Sequence, residues 1–233
     1  MSYRAGLVRR PCAASRCSLG SQGSGSGVWE TVARAHDTAG HRATALHFAA
    51  PRYGDLPFPA YRFVPGQDPH PTSDPRGHSY RVPGAPVPEV AFVPPEGWAA
   101  SSDYLYGCDL YNHAYWWEAH EAWEGLWQLT DKGGAQGRFL QGIIQVSACH
   151  LKRLVGHENG VKRLYQTSLE YLRSVTEAIG SREYMGLDVA DFIRGFEAYY
   201  HAGRGRPVTA FEHDPRRYPY IRLREDTLRK SGT

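Results

Sequence analysis

Between residues 101 and 202 apolar side chains recur at three- and four-residue spacing, interrupted by recognisable stop signals. Ser101 or Ser102 can cap a first helix through "DYLYGCDLYN". A second should cover about 115–130, ended by "DKGG". A third runs from about 135 to 155 and stops at Gly156. Asn159 caps a fourth, to about 179, closed by "IGS", and a fifth follows Asp188 through "VADFIRGFEAYYHAG". The connections are short, so neighbours should pack antiparallel. Upstream, residues 51–98 are crowded with proline, which fixes φ and lacks an amide proton, so neither a helix nor a central strand can form there. That region also holds Tyr53, Phe58, Tyr61, Phe63 and Tyr80, too many aromatics for a bare linker.

The expected architecture is all-α: a compact array of about five antiparallel helices over about 100–202, with a Pro-rich extended N-terminal strap and a disordered N-terminus. The divisions are 1–50, a disordered or targeting extension; 51–98, a strap packed on the helical body; 99–205, the helical domain; and 206–233, an extended C-terminal tail "RYPYIRLRED" and its surroundings. Residues 1–29 carry Arg4, Arg9, Arg10 and Arg16 and no acid, the composition of a transit peptide, without the apolar core of a secretory signal. A start assigned too far upstream explains the segment equally well.

Composition narrows the function classes. The chain has 233 residues and a formal net charge of +3, and its basic residues do not cluster, so no nucleic acid is expected as a partner. No apolar run approaches membrane-spanning length, and a cytoplasmic location is expected, with organellar targeting by residues 1–29 as the alternative. Cys12, Cys17, Cys108 and Cys149 are scattered without a zinc-site spacing and read as free thiols.

The chemistry is concentrated in "YWWEAHEAWEGLW", residues 115–127. On a helical wheel of ~100° per residue, Trp116, His120, Trp123 and Trp127 make one stripe, which places His120 in the middle of an aromatic, buried face. Glu124 follows one turn on, Glu121 sits further round, and Glu118 points nearly opposite, toward solvent and the positive end of the helix dipole. A His–Glu pair at i, i+4 fits three roles: ligands to a divalent metal, an acid/base pair, or a hydrogen bond that orients the helix. The spacing matches neither the H-E-x-x-H zinc motif nor the paired E-x-x-H of di-iron bundles. In the third helix Gln141 and Gln145 stack on one side of an otherwise apolar element and could orient a ligand, while His150 reads as a core histidine. In the strap, "PGQDPHPTSDPRGHS" brings His70, Asp74 and His78 to four-residue intervals along a backbone constrained by Pro and Gly.

Taken together, "PGQDPHPTSDPRGHSY", "DYLYGCDLYNHAYWWEAHEAWEGLW" and "RFLQGIIQVSACHLK" with "NGVKRLY" resemble the bacterial domain-of-unknown-function family numbered 309, over about residues 56–180. The E-A-H-E-x-W-E-x-x-W and L-Q-G-x-I-Q signatures carry the resemblance. It implies a small all-helical array and brings no established reaction, substrate or cofactor. Its signature falls on Glu118, His120, Glu121, Trp123, Glu124, Trp127, Gln141, Gly142 and Gln145. The strap positions His70, Pro71, Asp74, Gly77 and His78 would belong to a subgroup with a long N-terminal strap. A signature that includes Glu118 suggests either that the strap covers that face or that Glu118 is functional.

The first functional expectation is a metal-binding protein or small-substrate hydrolase with a polar pocket between strap and helices. Its catalytic candidates are His120, Glu121 and Glu124; its ligand-binding candidates are Glu118, Gln141, Gln145, Trp127 and Asp74. A divalent metal would be held by His70, His78, His120 and Glu124. No nucleophile or phosphate loop stands in a recognisable setting. The alternative is a helical-hairpin interaction or purely structural module, with Ala119, Gly142 and Ala148 at close helix contacts.

Overall fold

The structure, a computed structural model, describes residues 50–86, 88–202 and 217–224. The expectations for residues 1–49, Cys12 and Cys17 among them, lie outside the described residues. Five α-helices form the body: α1 (Ser102–Asn112), α2 (Trp116–Gln128), α3 (Ala135–Leu154), α4 (Glu158–Ile179) and α5 (Val189–Ala202). Each is where the periodicity put it, because stop signals and caps act locally. Ser101 Oγ accepts the Tyr104 amide at 3.3 Å and starts α1. Gly180, at φ 61°, ends α4 in the left-handed conformation that glycine adopts without strain. One cap differs: His157, rather than Asn159, starts α4, its Nδ1 accepting the Gly160 amide at 3.0 Å.

Consecutive helices pack side by side, and α3 lies between α2 and α4. Phe139, Leu140 and Ile143 of α3 are buried with Trp123 of α2 and Leu172 of α4. Each buried aliphatic of this kind contributes ~1.5–3 kcal/mol relative to exposure. The α3–α4 approach is close enough that a Cβ on Gly142 would lie 2.7 Å from Leu172. Between α4 and α5 sits a hairpin that the periodicity did not reveal, β1 (Glu183–Tyr184) and β2 (Leu187–Asp188), with Met185 and Gly186 at φ 47° and 77° in its turn. Two-residue strands carry no readable alternation. Gly186 is needed there, because a side chain would meet the Trp98 ring at 2.4 Å.

Residues 51–94 contain turns and extended chain but no helix or strand among those described; a 3₁₀ turn, Pro95–Ala100, leads into α1. Residues 217–224 pass from a turn into extended chain at 219 and bury Tyr218, Ile221 and Leu223, with a bridge from Leu223 to Leu187. Asn112 acts as a surrogate strand edge for this segment. Its side-chain amide donates to the Ile221 carbonyl at 2.9 Å and accepts the Ile221 amide at 2.8 Å. Among the described residues no helix is long and apolar enough to cross a membrane.

Candidate metal centre

Helix α2 presents three faces, each about 120° from the next at ~100° per residue. The core face holds Trp116, Ala119, Trp123 and Leu126, all buried. Trp123 donates its indole N–H to the Tyr104 carbonyl at 3.3 Å, and Trp116 donates to the Tyr218 hydroxyl at 2.9 Å. The expected stripe is therefore turned by about 50° on the same wheel. His120 and Trp127 lie at its edge rather than in the middle. Ala119 is fully buried beside Trp123, and its small side chain lets α2 approach its neighbours.

The second face belongs to the strap. Glu118, expected toward solvent, is 5% exposed. Its Oε1 accepts the Phe63 amide at 2.9 Å and meets His78 Nε2 at 3.0 Å. Its Oε2 is buried with no hydrogen-bond partner. Burial pushes this carboxyl above its ordinary value, against the opposing pull of the Phe63 amide, of its own backbone amide and of His78. Rings close over it: Phe63, His70 and His78 all pack edge-on to Trp117. Further along, the strap residue Val90 comes so near that a Cβ on Gly125 would lie 3.1 Å from it. The covering that the family signature suggested for Glu118 is what buries it.

The third face is open and carries the cluster. His120 Nδ1 lies 3.2 Å from Glu121 Oε1 and 3.8 Å from Glu124 Oε2. One ligand atom from each of the three residues falls within 4.8 Å of the others, so they form a group that could hold a metal ion. The side chains of His120, Glu121 and Glu124 are 31%, 44% and 20% exposed, which leaves the cluster reachable from solvent. Partial burial works against a charged imidazole at His120, but the Glu121 hydrogen bond and the charges of Glu121 and Glu124 outweigh it, and its pKa is raised. At the end of the helix Lys132 folds back over the Trp127 ring, its Nζ 4.0 Å from the ring centre.

The remaining sequence candidates go elsewhere. The ligand set of His70, His78, His120 and Glu124 is divided: His78 is on Glu118, and His70 Nδ1 accepts the Thr72 amide at 3.3 Å within its own turn. In extended chain the four-residue intervals make no common face. Asp74 faces Arg76, which donates from Nη2 at 2.9 Å and from Nε at 3.1 Å. Gln145 accepts the Thr167 hydroxyl across the α3–α4 contact, and half-buried Gln141 lies on the same helix, away from the cluster of α2. Cys108 and Cys149 are free and buried, and burial pushes the Cys149 thiol up to about 12, where it offers no thiolate. His150 is a core histidine, 3% exposed. Two residues that matter to the architecture escaped the sequence reading: Asp109, which receives the Tyr53 and Gly54 amides at 2.6 and 2.9 Å, and Asn112. The signal was available in "CDLYN", an acid and an amide on an apolar helix with no partner in sequence.

Residues 104–164 match the family model of a domain of unknown function, DUF309. This is the family that the sequence resembles. The match begins in α1 and ends in α4, so it takes in all of α2 with the cluster and all of α3, and it excludes the strap. No curated protein matches the chain. The DUF309 match thus falls on the helices that carry Glu118, His120, Glu121 and Glu124, without attaching a reaction to them.

Proposed function

We infer that this chain binds a divalent metal ion through His120, Glu121 and Glu124. The observation that carries the reading is the convergence of one imidazole nitrogen and two carboxylate oxygens within 4.8 Å on a solvent-reachable face. A tetrahedral ion with bonds of ~2.1 Å holds its ligand atoms about 3.4 Å apart, so small rotations of the two glutamates complete the arrangement. One nitrogen and two oxygens suit a borderline ion such as zinc or manganese rather than the all-oxygen surroundings of calcium. Three protein ligands would leave a coordination position for water. Hydrolysis of a small substrate is the reaction such a centre supports best.

The small residues that favoured an interaction module are used inside the array. Ala119 is fully buried, and Gly142 lies against Leu172.

The test is elemental analysis and calorimetric titration with zinc and manganese, on wild type and on His120→Ala and Glu124→Gln. One equivalent bound by wild type and lost in both variants supports the reading. No binding by wild type, or equal binding by both variants, removes it. If metal binds, a screen of small esters and phosphoesters with the loaded protein addresses the reaction.

A further inference from the structure

The strap is fastened to the helices by two carboxylates, and the two fastenings are unequal. At Asp109 each oxygen receives one backbone amide, from Tyr53 and Gly54. Tyr53 is held again through its hydroxyl, which donates to the Ile221 carbonyl at 2.9 Å and accepts the Leu223 amide at 2.7 Å. At Glu118 both strap contacts converge on Oε1, and Oε2 is the one buried side-chain polar atom without a partner among the described residues. An oxygen removed from water with nothing to replace it raises the free energy of the closed arrangement, and opening would return it to solvent.

Within residues 61–80 the strap is bonded mainly to itself. The Tyr61 hydroxyl donates to the Pro69 carbonyl at 2.7 Å, the Asp74 amide to His70 at 3.1 Å and the Ser79 amide to Pro71 at 3.0 Å. Gly77 fits so tightly into this turn that a Cβ would lie 2.3 Å from the Pro71 carbonyl oxygen. Such a segment moves as a unit rather than fraying residue by residue.

We propose that residues 61–80 form a lid that opens as one body while the fastening at Asp109 and the helices stay intact, uncovering Trp117 and Glu118. The chain on either side stays in place. Phe58 remains stacked on Tyr115, and the Val93 carbonyl remains bonded to Gln136. The proposal does not rest on the proposed metal centre, although Trp117 lies in line with it, one turn before Glu121.

Native-state hydrogen exchange of the full chain, at one pH and across low urea concentrations, tests it. The amide of Phe63, whose acceptor is on the helix, should exchange at least tenfold faster than those of Gly54 and of α3, with a shallow urea dependence that marks a local opening, while the Ser79 amide, bonded to Pro71 within the lid, stays slower than Phe63. Exchange of Phe63, Gly54 and α3 at one rate, with the steep urea dependence of global unfolding, overturns the lid. A variant keeps the outcome decisive. Glu118→Gln retains an oxygen to accept the Phe63 amide but weakens the contact with His78 and places an amide NH2 where Oε2 has no partner, so Phe63 exchange should quicken several-fold while Gly54 and α3 stay as in wild type. Unchanged Phe63 exchange, or an equal quickening at Gly54 and α3, overturns the role assigned to the Glu118 fastening.

Discussion

Glu118 and Glu121 are less than one helical turn apart, identical in type and opposite in circumstance. Glu118 is sealed under the strap with one oxygen doubly engaged and the other bare. Glu121 stands at the open cluster, 44% exposed, beside His120. The difference is made by the chain packed against each face, not by the helix that carries them. A carboxylate can brace a fold where backbone amides reach it, and it can exchange ligands only where water does. One helix thus separates a structural polar site from a chemically available one.

The largest expected effect comes from breaking the sealed side. Glu118→Ala leaves the Phe63 amide and His78 without their acceptor, and stability should fall by about 2 kcal/mol. Urea denaturation checks it, and metal binding by the folded variant should match wild type. On the open side the pattern reverses. Glu124→Gln should weaken metal binding at least ~10-fold while changing stability by no more than about 0.5 kcal/mol. If the two variants exchange these phenotypes, the assignment of faces is wrong.

A pH series sharpens the same contrast. The carboxylates raise the His120 pKa, so in metal-free protein its contribution to stability is fully present below the ordinary histidine value of about 6.5 and is lost as pH rises through the raised value. Partial exposure keeps that contribution small. Metal binding has the opposite slope, because the ion needs the neutral imidazole. Apparent affinity should rise across that window as pH increases, measured by titration at pH 6, 7 and 8, and the slope should flatten in His120→Ala along with the binding itself.

How much of this was legible follows the range of the forces involved. The helices and their order were readable because caps, Gly stops and 3.6-residue periodicity are local. The rotation of α2 was not. Its wheel was weighted toward Trp127 and His120, whereas close packing selected the small Ala119. The pairing of His120 with Glu124 on α2 was legible from its i, i+4 spacing, which a helix turns directly into proximity, whereas Glu121, read as a catalytic candidate, enters the ligand group only through the structure. The strap histidines were misplaced because proximity across an irregular segment depends on where it docks. That is set by contacts some forty to sixty residues away in sequence, such as His78 on Glu118 and Tyr53 on Asp109. Glu118 was the instructive case. Periodicity alone sent it to solvent, and only the docked strap explains its burial.

The smallest expected effect lies at Asp74, and it is the finest test of the separation between the faces. Arg76 holds the Asp74 carboxyl down at about 2 through side-chain and backbone hydrogen bonds. Any stability this gives is present above the ordinary carboxylate range and is lost as pH falls toward that value. The pair is exposed, Arg76 at 77%, so Asp74→Asn should leave urea denaturation at pH 7 unchanged within error. Metal affinity should be equally indifferent, since Asp74 belongs to a strap turn whose contacts reach the Glu118 face and not the cluster. A loss of affinity in Asp74→Asn comparable to that in Glu124→Gln would mean that the strap reaches the metal after all. The three faces of α2 would then have to be redrawn as two, with one site shared between strap and helix.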